Sequence, residues 1–474
     1  MCDENKSPNI LIIMSDDQGP WAMNCAGTTE LHTPRLDQLA DQGIRFENFF
    51  CASPVCSPAR ASFLTGRIPS QHGIHDWIKS GNIDVEDNIT WSGADQPINY
   101  LSGMTGFTDV LAQNGYICGL SGKWHLGDSA TAQKSHTFWS THSLGGDSYT
   151  NYFVFNNSRE MTLQKQYVTD FFTDRAIDFL DKFGESENPF CLSVHYTAPH
   201  SPWRQEEQPS EIWNLYNDVA FDSLPSLPPH DWNGWAPSLE NRRQTIQGYF
   251  TTITAMDMAI GRILDKLEGL GISEDTLIIF TSDNGYNMGH HGILGKGNGT
   301  YPLNMYEESV KVPFIACHPG RIPPSIVNKD LLSHYDFMPT ILDYLGLELP
   351  PDLNLPGTSF VPVLEGKNHN GNQSVAICDE YGPTRMLREK EWKYIHRYPE
   401  GPHELYNLIE DPEENHNLVG VSGYHEPLIR LRADLEKWFS QYVEVGSDGV
   451  NQPVTGRGQI DTISINHDER VAFV

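Results

Sequence analysis

The sequence predicts an α/β fold in which helices cover both faces of a large, mostly parallel β-sheet. Several short runs of β-branched residues are apolar at nearly every position, as is typical of strands buried on both faces. Segments with helical periodicity alternate with these runs, as in a doubly wound sheet. The 474 residues, of which 38% are apolar, suffice for one large domain and a smaller appended one.

Five apolar runs are predicted to be strands of this sheet. They are residues 9–14, 116–120, 190–196, 276–282 and 312–317. Residues 201–240 are rich in Pro, Trp and Asp and predict a long surface excursion. After residue 370 the pattern changes to short strands and turn-rich segments. We therefore predict a catalytic domain over residues 1–370 and a smaller α+β domain over residues 371–474.

Two segments show clear helical signals. The first has Thr33 as a predicted N-cap, Pro34 at the first helical position and Gly43 as its end. The second covers residues 247–271, where apolar side chains recur at steps of three and four from Tyr249 to Leu267.

Charge and hydropathy exclude some classes of protein. The chain carries 62 acidic and 32 basic residues, a net charge of −30, which argues against nucleic acid as a partner. No window of about 18 apolar residues occurs, so no membrane span is predicted. The N-terminus has no basic leader, so the sequence as given predicts a cytoplasmic protein. If a leader has been removed, it would be periplasmic or secreted.

Acidic and amide side chains follow two of the predicted strands. Asp16 and Asp17 come after the first strand, and Asp283 and Asn284 come after the strand at 276–282. Ligands of open α/β sheets bind beyond the carboxyl ends of strands, and hard oxygen donors suit calcium or magnesium better than zinc. Either pair alone could be an ordinary turn at a strand end. Their joint occurrence favours a metal site.

Lysine and histidine side chains follow two other strands. Lys123 and His125 come after 116–120 and, by alternation in extended backbone, would point the same way. His200 follows 190–196, whereas His195 inside that run is predicted to be a core residue. Lys296 lies in a glycine-rich loop without the spacing of a nucleotide-binding motif. These residues could bind an anion and move protons, or be surface lysines and loop histidines.

Cys56 differs in its setting from the other seven cysteines, which are irregularly spaced and form no Cys-x-x-Cys pair. It lies between Pro54 and Pro58, and Pro58 suits the first turn of a helix. A helix start favours anions, and Arg60 adds a fixed positive charge there. The setting suggests a reactive residue beside an anion rather than a buried structural thiol.

The stretch "CSPAR" at 56–60 resembles the Cys-x-Pro-x-Arg signature of type I, formylglycine-dependent sulfatases of the alkaline-phosphatase-like superfamily. The similarity continues in order through "LTGRIPSQHG", "GLSGKWHLGD", "TAPHSP", "FTSDNG", "SHYDFMPTILDYLG" and "ELYNLIEDP". The resemblance implies a large mixed, mostly parallel sheet sandwiched by helices, and a C-terminal α+β domain with an antiparallel sheet.

The resemblance also implies roles for individual residues. A formylglycine-generating maturation enzyme would oxidise Cys56, Arg60 would steady the product, and its hydrate would attack the sulfur of a sulfate ester. One divalent cation is implied, with Ca²⁺ expected and Mg²⁺ the alternative. Its ligands would be Asp16, Asp17, Asp283, Asn284 and the modified Cys56. Sulfate binding and proton transfer would fall to Lys123, His125, His200 and Lys296, with His200 protonating the leaving alcohol.

The predicted function is therefore that of an arylsulfatase-like sulfuric ester hydrolase acting on a small sulfated substrate, a carbohydrate above all. A sugar would suit aromatic and histidine residues near the predicted rim: Trp77, His136, His142 and Trp203. The Lys296 loop is longer than the compact family version and predicts a distinctive substrate mouth. The alternative enzyme is a phosphodiester or phosphonate monoester hydrolase. A non-enzymatic, metal-stabilised binding protein is disfavoured by the intact set of polar residues.

Overall fold

The computed structural model describes residues 7–83, 96–233, 241–351, 353–367, 371–378, 383–450, 456–463 and 472–473. The strands in these ranges are β1 (Asn9–Ser15), β2 (Ile44–Phe46), β3 (Phe49–Phe50), β4 (Ile117–Lys123), β5 (Phe138–His142), β6 (Tyr152–Asn156), β7 (Met161–Gln164), β8 (Phe190–His195), β9 (Thr276–Ser282), β10 (Asn287–Met288), β11 (Leu294–Gly295), β12 (Phe314–Cys317), β13 (Ile326–Asn328), β14 (Leu332–Ser333), β15 (Ser374–Cys378), β16 (Thr384–Glu389), β17 (Trp392–Arg397) and β18 (Glu404–Asn407).

The α-helices in the same ranges are α1 (Pro34–Asp41), α2 (Cys56–Thr65), α3 (Pro69–His72), α4 (Phe107–Gln113), α5 (Val168–Phe183), α6 (Ser210–Leu215), α7 (Arg242–Gly269), α8 (Glu307–Val310), α9 (Phe337–Tyr344), α10 (Val361–Leu364) and α11 (His425–Tyr442). Across the described ranges, none of these helices is long and apolar enough to cross a membrane.

A ten-stranded sheet forms the centre of the molecule, in the order β13-β2-β12-β9-β1-β8-β4-β5-β6-β7. The run from β9 to β5 is parallel throughout, while β12 is antiparallel to both its neighbours and β6 and β7 form an antiparallel edge. The predicted α/β fold with a mixed, mostly parallel sheet is confirmed. Near-continuous burial does not report strand direction, so the sequence did not reveal that β12 runs antiparallel.

Helices cover both faces of this sheet, as predicted. Alternate residues of β1 enter different cores: Ile10 and Ile12 join the core that contains α2, α4 and α9, whereas Leu11 and Ile13 join the one that contains α1, α5 and α7. All of β1 is buried. Burial on both faces explains why this strand is apolar at nearly every position.

The helix α1 begins at Pro34 as predicted, but the predicted cap by the Thr33 side chain is wrong. The hydroxyl of Thr33 donates to Asp37 Oδ1 at 3.2 Å and makes no capping bond. The first free amides of α1, those of Arg35 and Leu36, instead donate to the Asp257 carboxylate of α7 at 3.1 and 2.8 Å. A partner more than two hundred residues away is invisible to a local pattern.

The segment at 201–233 is only partly the surface excursion that its composition predicts. Its residues Trp213, Tyr216, Phe221 and Leu224 are buried, and the last three join a cluster with Phe250 of α7. Prolines and turns therefore carry the chain over the surface while its large apolar side chains cover α7. The rest of the predicted excursion, 234–240, lies outside the described residues.

A four-stranded antiparallel sheet, β15-β16-β17-β18, follows the main sheet in the chain, and α11 packs on β16 and β17. Leu431 and Leu435 of α11 share a buried cluster with Leu387, but also with Ala52 and Tyr335 of the preceding part of the chain. The predicted domain boundary at residues 370 and 371 adjoins residues 368–370, which lie outside the described ranges. It stays a prediction.

Candidate active site and metal centre

Four neighbouring parallel strands end at the same edge of the main sheet and bring the polar segments together. In the order β9-β1-β8-β4, each is hydrogen-bonded to the next. The register places Ser15 opposite Ser282, so that the residues following β1 and β9 lie side by side. The expectation that distant segments meet beyond the carboxyl ends of the strands agrees with this topology.

Three buried carboxylates meet where β1 and β9 end. Oxygen atoms of Asp16, Asp17 and Asp283 lie within 4.8 Å of one another. The amide of Asp17 donates to Asp283 Oδ1 at 3.1 Å, and Asn284 Nδ2 donates to Asp17 Oδ1 at 2.8 Å. Among the described residues, the buried Oδ1 of Asn284 has no hydrogen-bond donor. Three clustered carboxylates and an amide oxygen without a donor fit a hard divalent cation.

Each carboxylate of this cluster also faces a buried cation. The pairs are Arg60 Nη2 with Asp283 Oδ2 at 2.8 Å, Lys123 Nζ with Asp16 Oδ2, and Lys296 Nζ with Asp17 Oδ1 at 2.6 Å. Three negative groups are thus balanced by three positive ones. A bound divalent cation would leave the site positive, which is the charge that an anionic ester requires.

Burial and mutual repulsion still oppose full ionisation of the acids. Burial, and then the neighbouring Asp283, raise the pKa of Asp16 above its ordinary value. For Asp283, burial also acts to raise the pKa, but Arg60 and Lys123 outweigh it and hold that pKa below the usual range. The pKa of Asp16 is therefore raised while that of Asp283 is lowered. Additional positive charge beside Asp16 would favour its ionised form.

Cys56 is the first residue of α2 and points into this cluster. Val55 is extended at the N-cap, and Pro58 lies in the first turn as predicted. The sulfur of Cys56 lies 3.4 Å from Asp16 Oδ1, and Lys296 Nζ donates to it at 2.9 Å. Burial, and then Asp16, raise the pKa of the thiol to about 12. The unmodified side chain is therefore a neutral thiol at pH 7 and a weak nucleophile.

Arg60 lies one turn along α2 and organises the acids. Its Nε donates to Asp283 Oδ2 at 2.9 Å and its Nη1 donates to the Lys123 carbonyl at 3.3 Å. The guanidinium therefore ties the end of β9 to the end of β4 beneath Cys56. Its contacts with Asp283 and Lys123 are the geometric setting for the steadying role that the resemblance implies.

His125 reaches the site by a route that strand alternation did not predict. β4 ends at Lys123, and His125 has a φ of 54°, so the two residues do not share an extended backbone. Its Nε2–H donates to the Ile78 carbonyl at 2.9 Å, and among the described residues Nδ1 has no partner. Burial and Lys123 hold the pKa of this imidazole well below its usual range. It is therefore neutral, with a free lone pair on Nδ1.

His200 has a different environment, at the edge of the site. Its Nδ1–H donates to the Ser201 carbonyl at 2.6 Å, which leaves Nε2 3.7 Å from Asp17 Oδ2. The side chain is 28% exposed, whereas the acids beside it are buried. Nε2 can therefore exchange a proton with a group that enters from solvent.

A cavity of about 300 Å³ opens above these residues. Its lining includes five of the predicted site residues, namely Cys56, Lys123, His125, His200 and Lys296, together with Trp77. It also includes Lys79, Asn82, Asn298 and the pair Gly145-Gly146, which the sequence analysis missed. The missed residues lie in loops whose path depends on distant partners, and the adjacent glycines were the one local signal.

The two glycines allow the imidazoles to fit. A Cβ at Gly145 would lie 2.3 Å from His125 Cε1, and one at Gly146 would lie 3.2 Å from His200 Cε1. The first distance is shorter than any normal contact. The loop after β5 therefore approaches His125 closely because residue 145 has no side chain.

The other aromatic and histidine residues predicted near the rim do not line the cavity. His136 packs between Trp124 and Trp139, His142 stacks on Tyr152, and Trp203 packs against Tyr249 and Tyr286. Of the four predicted rim residues, Trp77 is the one that lines the cavity in the described ranges, and the others are packing residues.

Acids, cations and imidazoles that meet at the carboxyl edge of a helix-covered α/β sheet define the class of metal-assisted hydrolases of charged esters. Residues 8–347 match the sulfatase family model, and residues 299–441 match a model described as N-sulphoglucosamine sulphohydrolase, C-terminal. The chain therefore belongs to the sulfatase family. That family generally uses a metal ion and formylglycine, and the acidic cluster at Asp16, Asp17 and Asp283 could hold the metal.

Individual relatives support this assignment. An N-acetylglucosamine-6-O-sulfatase of Bacteroides thetaiotaomicron is 27% identical, over 94% of this chain and 88% of the relative. A choline-sulfatase of Rhizobium meliloti is 28% identical, over 87% of this chain and 82% of the relative. A solved structure, a complex with the substrate D-glucosamine-2-N,6-O-disulfate, has a TM-score of 0.77 and 26% identity, covering 94% of this chain and 99% of its own.

Proposed function

We propose that this protein removes sulfate from a small sulfated carbohydrate, with an oxidised Cys56 as nucleophile. The main observation in support is the position of the Cys56 side chain, which lines the cavity. Its sulfur lies 2.9 Å from Lys296 Nζ and 3.4 Å from Asp16 Oδ1. A nucleophile there would meet a sulfate group flanked by lysines and by the acidic cluster. In a sulfuric ester hydrolase, such a nucleophile would attack the sulfur while the surrounding positive charge stabilises the negative charge that develops on the sulfate oxygens.

Asp16, Asp17, Asp283 and Asn284 would hold one divalent cation, together with the modified side chain at position 56. Calcium suits this set better than magnesium, because it accepts many oxygen ligands in flexible geometry. The cation would draw charge from the sulfate oxygens as it builds up. Arg60 holds Asp283 in place at 2.8 Å, and Lys296 does the same for Asp17 at 2.6 Å.

The buried thiol is held neutral and is a weak nucleophile. A maturation enzyme would convert Cys56 to formylglycine, which supplies a better one. The hydrated aldehyde would supply the hydroxyl oxygen that attacks sulfur. Lys123 and Lys296 would face the sulfate from two sides and favour its negative charge in the transition state. Neither lysine needs to move, because Asp16 and Asp17 already fix their ammonium groups.

The two histidines would divide the proton transfers. His200 Nε2 would donate a proton to the leaving alcohol, because its Nδ1 is held by Ser201 and its side chain reaches the open part of the cavity. His125, neutral and with an Nδ1 that has no partner among the described residues, would accept a hydrogen bond from a hydroxyl of the nucleophile. The partly exposed His200 would thus be the general acid, and the buried His125 would be the hydrogen-bond acceptor.

A carbohydrate suits the upper part of the cavity. Trp77 is half-buried there and offers an aromatic face to a sugar ring, and Asn82 and Asn298 offer amides to hydroxyl groups. At about 300 Å³ the cavity is at the small end of ligand pockets. The relatives named for N-acetylglucosamine-6-O-sulfate and D-glucosamine disulfate support a sugar, while the choline-sulfatase keeps a smaller sulfate as the second candidate.

The oxidation of Cys56 is tested by intact mass and activity. Conversion of the thiol to an aldehyde lowers the mass by about 18 Da. Cys56→Ala should show no such change and should lose more than about a thousandfold in kcat on an aryl sulfate. Cys51→Ala, a buried cysteine outside the cavity, is the control. Higher activity on an aryl phosphodiester than on the aryl sulfate would favour the alternative hydrolase.

The proton assignment is tested with leaving groups of different acidity. His200→Ala should lower kcat on a sugar sulfate by about a hundredfold or more, because an alkoxide leaves poorly without a proton. On 4-nitrophenyl sulfate, whose phenolate leaves unaided, the loss should be less than about tenfold. His125→Ala should lower both rates to a similar extent. Equal losses for His200→Ala on both substrates would contradict its role as the acid.

A further inference from the structure

Lys79 stands apart from the other cations of the cavity. Lys123 and Lys296 also line it, but each is paired with a carboxylate of the acidic cluster. Among the described residues, no carboxylate lies within ion-pair distance of Lys79. The cavity wall therefore includes a partly buried lysine that the proposed reaction at Cys56 does not use.

The backbone of Lys79 is held firmly by the C-terminal segment. Its amide donates to the Gln459 carbonyl at 2.8 Å. Gln459 is buried, and its side chain binds the His75 amide and the Gly73 carbonyl, both at 2.9 Å. The backbone of Lys79 is therefore held in place by a hydrogen bond to a segment 380 positions further along the chain.

Gly458 packs the stems of Lys79 and Trp77 together. A Cβ at Gly458 would lie 2.7 Å from Lys79 Cβ and 3.0 Å from the Trp77 ring, and its φ of 100° favours glycine. The lysine stem and the indole are thus held side by side on one wall. A sugar ring on Trp77 would carry its substituents past the Lys79 ammonium group.

Charge decides what Lys79 would bind. The chain has a net charge of −30, and a lysine without a carboxylate partner in the described part of the chain gains most from an anion that enters the cavity beside it. We propose that Lys79 binds a second anionic group of the substrate, a carboxylate or a second sulfate, beside the sulfate that is removed. This inference rests on the proposed function and narrows its substrate class to doubly anionic sugars.

The test uses three matched sulfated monosaccharides, of which one carries no other charge, one a carboxylate and one a second sulfate. Wild-type kcat/KM should be at least about tenfold higher on the doubly charged sugars, and the better of the two identifies the group. Lys79→Met should lower kcat/KM on those by about tenfold to a hundredfold, mainly through KM, and much less on the singly charged sugar. Lys79→Arg should restore the preference.

Binding of sulfonate analogues, with CH₂ in place of the bridging oxygen, is measured by calorimetry in parallel. Lys165→Met, an exposed lysine outside the cavity, is the control. Equal affinity of the wild type for singly and doubly charged analogues, or equal losses in Lys79→Met on all sugars, would overturn the role of Lys79. Tighter binding of the doubly charged analogues, with no turnover of any sulfate ester, would instead overturn the proposed hydrolysis. The role of Lys79 in binding a second anionic group would then still hold.

Discussion

Two residues of the site lie in the left-handed region of backbone space, where side chains other than glycine are strained. Asp17 has a φ of 62° and His125 a φ of 54°. Such strain costs of the order of 1 kcal/mol per residue and persists where surrounding contacts enforce it. For Asp17 these contacts are Asp283, Asn284 and Lys296. For His125, they are the Ile78 carbonyl and the close approach of Gly145.

Gly145→Ala tests that close approach. The added methyl group would lie 2.3 Å from the His125 ring, so the imidazole must move. We expect a loss in kcat/KM of about tenfold to a hundredfold, since small displacements of positioned groups are costly. The midpoint of thermal unfolding should change little. Gly269→Ala, at an exposed glycine with nothing within 4 Å, is the control. Unchanged kcat/KM in Gly145→Ala would show that His125 tolerates the shift.

At the scale of elements, α7 does more than cover the sheet. Its Asp257 accepts hydrogen bonds from the first free amides of α1, at Arg35 and Leu36, so that one helix caps another. α1 is only two turns long and has no cap from Thr33. Burial raises the pKa of Asp257 to about 7. The stability that this carboxyl contributes is therefore fully present at low pH and declines as the pH rises through 7.

Two substitutions of Asp257 should distinguish the stability contributed by its hydrogen bonds to α1 from the effect of its negative charge. Asp257→Ala leaves two amides without an acceptor and should lower the free energy of unfolding by about 1–3 kcal/mol. Asp257→Asn keeps an acceptor and cannot ionise, so its stability relative to the wild type should rise between pH 5 and pH 8. Asp265 lies on α7, as Asp257 does, and forms an exposed ion pair with Arg35 of α1. Asp265→Ala removes that ion pair and should change the free energy of unfolding little. Denaturant unfolding at both pH values gives the comparison.

At the scale of the whole molecule, buried charges join the small C-terminal sheet to helix α8 of the preceding part of the chain. Lys393 of β17 lies between two buried carboxylates, 3.2 Å from Glu307 Oε1 and 2.6 Å from Glu414 Oε1. Glu414 Oε2 in turn accepts the Glu307 amide at 2.8 Å. Burial raises the pKa of Glu414 to about 7 even with Lys393 present. Glu307 also pairs with Lys311 and Arg388, at 2.8 and 3.3 Å, so among the described residues it is Glu414 whose charge depends on Lys393.

Lys393→Met should show this dependence as a pH effect. Glu307 keeps Lys311 and Arg388, so removing Lys393 leaves Glu414 as the uncompensated buried carboxylate and should lower the free energy of unfolding by about 3–5 kcal/mol at pH 8. The loss should be smaller at pH 5.5, because the raised pKa of Glu414 lets a proton replace the missing charge. Lys390→Met, at an exposed lysine beside it, should be close to wild type. A loss that does not depend on pH would argue for a packing effect.

The sequence by itself determined the main strands, the class of fold and the residues at the strand ends. Buried parallel strands must be apolar at nearly every position, so β1, β4, β8 and β9 stand out, and the polar residues that follow them are conspicuous. Asp16 and the other polar residues at the strand ends were predicted in this way, Cys56 from its place at a predicted helix start, and their roles from the family resemblance. Local chemistry carries such signals because each depends on residues adjacent in the chain.

Only the tertiary structure decided which residues line the cavity and how their side chains are positioned. Lys79 is fixed by Gln459, His125 by Ile78 and Gly145, and α1 by Asp257. Each contact joins loops or helices whose separation along the chain leaves no periodic pattern. Their geometry follows from the packing of two layers of helices on the two faces of a ten-stranded sheet, and no local pattern in the chain encodes that packing.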